Sequence, residues 1–242
     1  MSASTEFDFG DDRKRVYRYV DRHGPIEPSA VAEALRLDPE SFQHHVSILR
    51  RDGLVEEVDG RLRTPMHAGE AEEHEEAGIT YEIRPAGPPD LSGVVAVIRS
   101  VVDAERDVVA ESVAEQLAFE ETLFRRSPTE CRAVFVATVA DDVVGWVHAS
   151  RPEPATLSGT AELTLGVLEE YRRHGIGSHL LQRGVSWAAS EGSRKVYQSL
   201  PATNEVGIEF LEENGWAVEA VREDHYEIEG DLVDEVMLAR DL

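Results

Sequence analysis

The sequence has one cysteine, few lysines and no long apolar run. Cys131 alone cannot form an internal disulfide or a metal site made of several cysteines, and its apolar neighbours predict a reduced, buried side chain. No segment approaches the roughly 20 apolar residues that a membrane helix needs, and residues 1–14 contain no apolar signal core. We therefore expect a soluble cytoplasmic protein that uses no metal.

Negative charge dominates the composition. Acidic residues outnumber basic ones by 48 to 24, which gives a formal net charge of −24 at pH 7, and lysine occurs only at Lys14 and Lys195. Such a charge disfavours nucleic acid and favours cationic partners. It also suits a protein kept soluble in molar salt, because the Debye length there falls to about 3 Å and self-repulsion is screened. We favour this halophilic origin, which makes the charge weak evidence about partners.

The composition changes sharply between Thr64 and Gly78, where apolar periodicity stops and acids, glycine and alanine take over. This change predicts an acidic linker or a solvated helical spacer over 65–78, between a small domain over 1–64 and a larger one over 79–242. The linker histidines, His67 and His74, lie among carboxylates but complete no ligand set, so we interpret them as part of a solvated acidic face and not as a metal site.

Three helices and a β-hairpin are predicted in the first 64 residues. Apolar stripes at helical spacing indicate helices within 11–24, 27–37 and 38–53, the last with Asp38 as its N-cap. Two short alternating runs within 54–64 meet at Asp59-Gly60, a strong hairpin signal. Over residues 11–64 this order of elements resembles a winged helix-turn-helix domain.

The winged-helix resemblance implies a DNA-reading surface on the third helix and the hairpin. Polar and basic side chains that suit bases and phosphates lie there: Gln43, His44, Ser47, Arg50, Arg51, Arg61 and Arg63. Neighbouring acids such as Glu56 and Glu57 weaken any attraction for phosphate. The alternative, a packing, dimerisation or protein-docking module, stays open.

From Ile79 onward, strand-like and helix-like segments alternate and predict an α/β (α+β) domain with one mixed sheet between helices. The predicted strands are 79–86, 131–140, 142–150, 161–168, 195–202, 217–230 and 232–242, and the predicted helices are 90–102, 109–124, 175–192 and 204–216.

The turn after the strand 161–168 has the features of an anion site. In "RRHGIGS", Gly175 and Gly177 let successive main-chain amides converge, and the start of a helix adds unpaired donors and a partial positive charge. Such turns bind phosphate groups. The turn is not a Walker P-loop, because no Gly-Lys-Ser/Thr follows, and it lacks the three-glycine spacing of the Rossmann fingerprint.

The pattern Arg172-x-x-Gly175-x-Gly177 between strand and helix resembles the acetyl-CoA pyrophosphate loop of the GNAT superfamily of N-acetyltransferases. Its context strengthens the resemblance: the strand motif "LGV" precedes it, a helix that opens at Asn204 and ends in Gly-Trp follows, and the chain ends in a hairpin. The resemblance covers about residues 79–242. It implies a mostly antiparallel sheet and acetyl-CoA as cosubstrate.

The resemblance also implies roles for individual residues. The amides of 173–178 would hold the pyrophosphate, the pantetheine arm would lie beside the strand around Gly166 as an added strand, and Asn204 would hydrogen-bond that arm besides capping its helix. The implied cofactor-binding residues are Leu165, Gly166, Val167, Arg172, Arg173, His174, Gly175, Ile176, Gly177, Ser178, Asn204 and Phe210.

For the chemistry, the family supplies an oxyanion donor from this strand, here near Val167 or Leu168. Glu162 matches the position of a general base, acting directly or through water, with a solvated strand carboxylate as the alternative. Many members carry a tyrosine acid one residue after the position of Phe210, but Leu211 stands here and cannot donate a proton. Tyr226 is our preferred replacement, and the alternatives are His225, water, or acetyl-CoA binding without efficient turnover.

These features predict an acetyl-CoA-dependent N-acetyltransferase acting on a primary amine of a protein N-terminus, a lysine or a small molecule. Two rival hypotheses give the N-terminal domain the leading role. It would bind DNA in a regulator that senses acetyl-CoA with little or no turnover, or it would recruit a protein substrate. A homodimer is an open possibility for the assembly.

Overall fold

The computed structural model of the protein describes residues 11–23, 25–51, 54–63, 71–105, 108–127, 130–152 and 159–242. The chain divides into two compact units, Met1–His67 and Ala68–Leu242, which are described separately below. Within the described residues, no helix combines the length and the apolar character required to cross a membrane.

The first unit has the predicted order of three helices and a hairpin. Its elements are α1 (Asp11–His23), α2 (Pro28–Leu35), α3 (Pro39–Arg51), β1 (Glu56–Val58) and β2 (Arg61–Arg63). Side chains from all three helices and from β2 form its core, among them Val20, Val31, Phe42, Leu49 and Leu62. Asp38 caps α3 as predicted, because its carboxylate accepts a hydrogen bond from the amide of Ser41 at 3.0 Å, which lowers the pKa of Asp38.

The second unit is a sheet with helices on both faces. Its strands are β3 (Glu72–Glu76), β4 (Ile79–Pro85), β5 (Arg125–Ser127), β6 (Glu130–Val139), β7 (Asp142–Pro152), β8 (Thr160–Val167), β9 (Lys195–Pro201), β10 (Ala217–Ile228) and β11 (Asp231–Asp241). Its helices are α4 (Leu91–Glu105), α5 (Val108–Glu120), α6 (Ile176–Ser190) and α7 (Glu205–Glu213).

The strands lie in the order β10-β11-β9-β8-β7-β6-β4-β3, with β5 paired to β6. All of these pairs are antiparallel except β8–β9, which is parallel. The predicted mixed, mostly antiparallel α+β sheet is confirmed.

Two apolar layers cover the sheet. On one face, α6 and α7 pack on the inward side chains of the central strands, including Leu163, Leu200 and Leu238. On the other, α4 and α5 pack over Val136 and Trp146. Cys131 is buried in β6, as predicted.

The structure corrects the predicted linker over 65–78. Residues 72–76 form β3, which pairs antiparallel with β4 from Glu72↔Ile83 to Glu76↔Ile79. A run of glutamates has low strand propensity, but an edge strand tolerates charge, and all four glutamates of β3 are exposed. Residues 64–70, which include His67, lie outside the described residues.

Candidate functional site

A gap opens between β8 and β9 at the centre of the sheet. The two strands pair from Thr160↔Lys195 to Glu162↔Tyr197, and β8 then continues to Val167 with β7 as its only partner strand. β9 stays paired to β11 along its whole length. The strands therefore diverge beyond Glu162 and leave one edge of β8 without a partner strand.

The hydrogen-bond alternation of β8 determines which groups face this gap. The amide of Leu168 donates to the carbonyl of Val144 at 2.9 Å, so it points at β7. Because paired residues of an antiparallel ladder alternate in direction, the main-chain groups of Leu165 and Val167 point into the gap. The prediction of an oxyanion donor at Leu168 is therefore wrong, whereas the Val167 amide has the required direction.

Gly166 lies between these two residues and packs against the core. A Cβ built at Gly166 would collide with the indole ring of Trp146, a fully buried residue. Close packing behind β8 thus requires glycine at this position.

The glycine turn leads from β8 into α6. Gly175 is the N-cap residue with φ +74°, in the left-handed region that favours glycine, and α6 begins at Ile176. The first α-helical hydrogen bond runs from the amide of His179 to the carbonyl of Gly175, at 3.1 Å. The amides of 173–178 precede that bond, at the positively polarised end of the helix.

Two contacts fix this turn. The Nε of Arg172 donates to the carbonyl of Val167 at 3.0 Å, which ties the turn to the open edge of β8. The ring of Phe210 in α7 lies 3.4 Å from where a Cβ of Gly177 would stand. Ile176 is buried, His174 is half-buried, and Arg173 and Ser178 are exposed.

Asn204 lies just beyond the end of β9 and is buried. Its Oδ1 accepts a hydrogen bond from the amide of Gly207 at 2.9 Å, so the predicted N-cap role in α7 is confirmed. The contact with the pantetheine arm stays a prediction.

Glu162 lies where β8 and β9 separate. Its side chain reaches solvent, yet neighbouring protein atoms remove part of its hydration. This loss of hydration, followed by the negative charge of Glu235, raises the pKa of the Glu162 carboxyl.

Glu235 of β11 is a buried carboxylate whose charge acts on Glu162 and which the sequence analysis missed. It is buried, accepts a hydrogen bond from the Tyr226 hydroxyl at 3.0 Å and pairs with Arg222 at 2.9 Å. Strands β9 and β11 lie between β8 and β10, so Glu162 and Tyr226 are not adjacent. The alternation of "LVDEVMLARDL" could have revealed it, because Glu235 falls in phase with Val233 and Met237.

A cluster of aromatic rings lies beside the glycine turn. The ring of His74 in β3 stacks on that of His179 in α6, with centroids 3.9 Å apart, and also on Tyr81 in β4. Burial, followed by the charge of His179, lowers the pKa of His74. His74 thus belongs to a packed cluster, and among the described residues no group of three or more His, Cys, Asp or Glu could hold a metal ion.

The predicted DNA-reading residues of the first unit are exposed: Gln43, His44, Ser47, Arg50, Arg51, Arg61 and Arg63. Two of the arginines pair with hairpin carboxylates, Arg50 with Glu57 at 2.8 Å and Arg63 with Glu56 at 2.7 Å. These pairs reduce the positive charge that a phosphate would meet.

Comparison with known proteins identifies the family to which the second unit belongs. Residues 99–216 match the model of the "Acetyltransferase (GNAT) family". The second unit is a GNAT acetyltransferase domain. The protein is thus an acetyl-CoA-dependent N-acetyltransferase.

Individual relatives agree with this assignment. YwnH of Bacillus subtilis (strain 168), a proposed phosphinothricin acetyltransferase, is 29% identical over 164 residues, which are 66% of this chain and 98% of YwnH. A solved structure of a proposed phosphinothricin N-acetyltransferase is 25% identical, covering 67% of this chain and 98% of its own, with a TM-score of 0.55.

A third relative shows the GNAT fold alone. The acetyltransferase yncA of Salmonella typhimurium, solved with acetyl-CoA, is 16% identical with a TM-score of 0.56, over 66% of this chain and 93% of its own. The comparisons do not support the winged-helix, DNA-binding and halophilic interpretations, which stay hypotheses.

Proposed function

We propose that this GNAT domain transfers the acetyl group of acetyl-CoA directly to the primary amine of a small molecule. The observation that carries the proposal is the unpaired edge of β8 beside the gap, because an extended pantetheine arm can hydrogen-bond to it as an added strand. The amides of Leu165 and Val167 are the donors on that edge.

The glycine turn supplies the other end of the cofactor site. The amides of 173–178 and the start of α6 favour a diphosphate at this place. Arg172 braces the turn through Val167, and the exposed Arg173 adds positive charge. The adjoining ring of Phe210 closes the apolar side of the turn.

Glu162 is the proposed base. The amine loses a proton to Glu162, directly or through water, and its nitrogen forms a bond to the thioester carbonyl carbon. The C–S bond then breaks, with the Val167 amide stabilising the oxyanion on the way. The raised pKa of Glu162 makes its carboxylate a stronger base.

The thiolate of coenzyme A must then gain a proton. Leu211 is buried and carries no proton to give, so Tyr226 or water is the proposed donor. Tyr226 lies on β10, two strands from β9, and its hydroxyl donates a hydrogen bond to Glu235. It would therefore approach the reacting groups from the β10 side of the gap between β8 and β9.

A small-molecule acceptor is proposed from the likeness to YwnH, with protein N-termini and lysines as the alternatives. The test is release of free thiol from acetyl-CoA with a panel of amines, including phosphinothricin, polyamines and peptides, with the products identified by mass spectrometry. A small amine should react faster than every peptide; a peptide that reacts best would overturn the proposed acceptor.

Glu162→Gln separates chemistry from binding. It should lower kcat by about a hundredfold, while calorimetry gives an unchanged affinity for coenzyme A. The control is Glu82→Gln, on the distant strand β4. Full activity of Glu162→Gln would remove this residue from the mechanism, and an absence of coenzyme A binding by the native protein would remove the cofactor site.

A further inference from the structure

Glu235 is a buried carboxylate whose partners all come from β10. Only 5% of the residue is exposed. Its Oε1 accepts from the Tyr226 hydroxyl at 3.0 Å, and its Oε2 lies 2.9 Å from Nη1 of Arg222 and 3.6 Å from Nε2 of His225. A buried carboxylate is costly without such partners, so the hydroxyl of Tyr226 and the guanidinium of Arg222 stabilise Glu235 in this position.

Glu162 and Glu235 project from the same face of the sheet. Glu162 pairs in register with Tyr197 of β9, and Glu235 pairs with Pro201 of the same strand. Residues four apart on one strand share a face, and paired residues across strands do so as well. That face is opposite to the one covered by α6 and α7, whose core contains the neighbouring Leu163 and Val236.

We propose that Glu235 is a positioning residue for acetyl transfer: it holds the hydroxyl of Tyr226 in place and sets the electric field in which Glu162 acts as the base. This inference rests on the proposed function, in which Glu162 takes the proton of the amine. Glu235 acts through its neighbours and touches neither acetyl-CoA nor the amine.

The charges around Glu235 determine the sign of its effect. Its negative charge disfavours a second carboxylate nearby, which raises the pKa of Glu162. Arg222 from β10 opposes this effect, and so does His225 when its imidazole carries a proton, because its Nε2 lies 3.6 Å from the same carboxylate. At the same register β9 contributes Pro201, which carries no charge.

Glu235→Gln is the decisive variant, because an amide oxygen still accepts the Tyr226 hydrogen bond while the charge is lost. The acid limb of the kcat/KM profile reports the ionisation of Glu162. It should move down by about half a pH unit in this variant. Glu235→Asp keeps the charge and should restore the limb toward its native position.

Two further variants separate the charge from the hydroxyl. Arg222→Gln removes the cation beside Glu235, so the acid limb should move up, in the opposite direction. Tyr226→Phe removes only the hydroxyl and should lower kcat without moving the limb. A structural role of Glu235 alone does not predict opposite shifts of the acid limb in Glu235→Gln and Arg222→Gln.

Carboxyl ¹³C NMR titration of Glu162 gives the same shifts without substrate. An unchanged Glu162 titration in folded Glu235→Gln overturns the inference. Should that variant fail to fold, an unmoved titration in Arg222→Gln, a half-exposed site, overturns it equally. If the titrations shift as expected but Glu162→Gln stays fully active, the proposed base is wrong and the coupling between the two carboxylates stands.

Discussion

The hydroxyl of Tyr81 lies 2.6 Å from Nδ1 of His179, a hydrogen bond that joins β4 to the first turn of α6. His179 is the residue whose amide makes the first helical bond to Gly175. The buried phenol of Tyr81 therefore anchors the helix end that carries the glycine turn. The ring of His74 stacks on the face of the same imidazole.

Tyr81→Phe should loosen this anchor. Loss of one buried hydrogen bond costs about 1 kcal/mol in the free energy of unfolding, and the dissociation constant for coenzyme A should rise about two- to fivefold as the turn becomes less fixed. Urea unfolding and calorimetry measure the two effects. Tyr17→Phe, a buried tyrosine of the first unit, is the control and should leave coenzyme A affinity unchanged. Equal affinities in all three proteins would contradict the anchor.

The same tyrosine should make the protein sensitive to alkali. Burial, followed by the charge of Glu76, raises the pKa of Tyr81 to about 12. The unfolded chain loses this proton near pH 10, before the folded protein does, so stability falls between about pH 10 and 12. The free energy of unfolding of the native protein should therefore drop faster over this range than that of Tyr81→Phe. Parallel curves would show that the phenol titrates alike in both states.

His148 should produce the corresponding loss in acid. It is buried in β7, and burial, followed by the charge of Arg132, lowers its pKa to about 3. The unfolded chain binds a proton at His148 below about pH 6.5 and the folded protein does not. Stability is therefore lost as the pH falls from 6.5 toward 3, by at most about 1.4 kcal/mol per pH unit.

His148→Leu removes this titration while keeping a side chain of similar volume. Urea unfolding of both proteins at fixed salt gives the free energy of unfolding at each pH. As the pH falls from 6.5 toward 3, this free energy should decrease more in the native protein than in His148→Leu. The carboxylates contribute equally to both proteins and cancel in the difference. A constant difference over this range would mean that His148 has the same pKa in the folded and the unfolded protein.

Local patterns predicted most of the fold but not its acidic edge strand. The glycine turn, the α7 cap at Asn204 and the terminal hairpin each carry a short-range signal of turn chemistry or periodicity. β3 carries no such signal, because its glutamates disfavour a strand. The strand forms only through its pairing with β4. The interpretation of His74 as a solvated residue failed for the same reason, since its stacking partners come from β4 and α6.

The acceptor side of the site depends on contacts distant in sequence. Glu162 was identified by resemblance, but its environment arises where β8 and β9 diverge, and no local pattern encodes that divergence. Glu235 was overlooked because an acid near the end of a hairpin is usually solvated. Its partners Arg222 and Tyr226 come from the neighbouring strand β10, and the register shifts between β10 and β11 that position them have no local signal in the sequence.

The first unit offers a separate test of DNA binding. Replacing both Arg50 and Arg51 with Ala should weaken binding at every salt concentration, because each arginine that neutralises a phosphate contributes about one unit to the salt slope. Fluorescence anisotropy of the full-length protein with a labelled duplex measures this. Glu57→Gln releases Arg50 from its ion pair and should strengthen binding. Native protein that binds no better than the double variant has a first unit that packs or docks instead.

Gly175→Ala should damage the cofactor site in two ways. An alanine at φ +74° is strained by about 1 kcal/mol or more, and its Cβ would require the carboxylate of Glu76 in β3, the end of a flexible side chain, to move aside. The dissociation constant for coenzyme A should rise about tenfold. Gly87→Ala is the control, because its Cβ would meet only ordinary contacts at 3.6 Å and 3.8 Å.

The two causes separate in a double variant. Glu76→Ala removes the collision, so Gly175→Ala in that background should regain part of its affinity, whereas the backbone strain stays. Calorimetry on the four proteins of this cycle gives the coupling between Gly175 and Glu76 directly. If the two substitutions change the affinity for coenzyme A additively, Glu76 does not interact with residue 175. The edge strand β3 would then have no part in shaping the cofactor site.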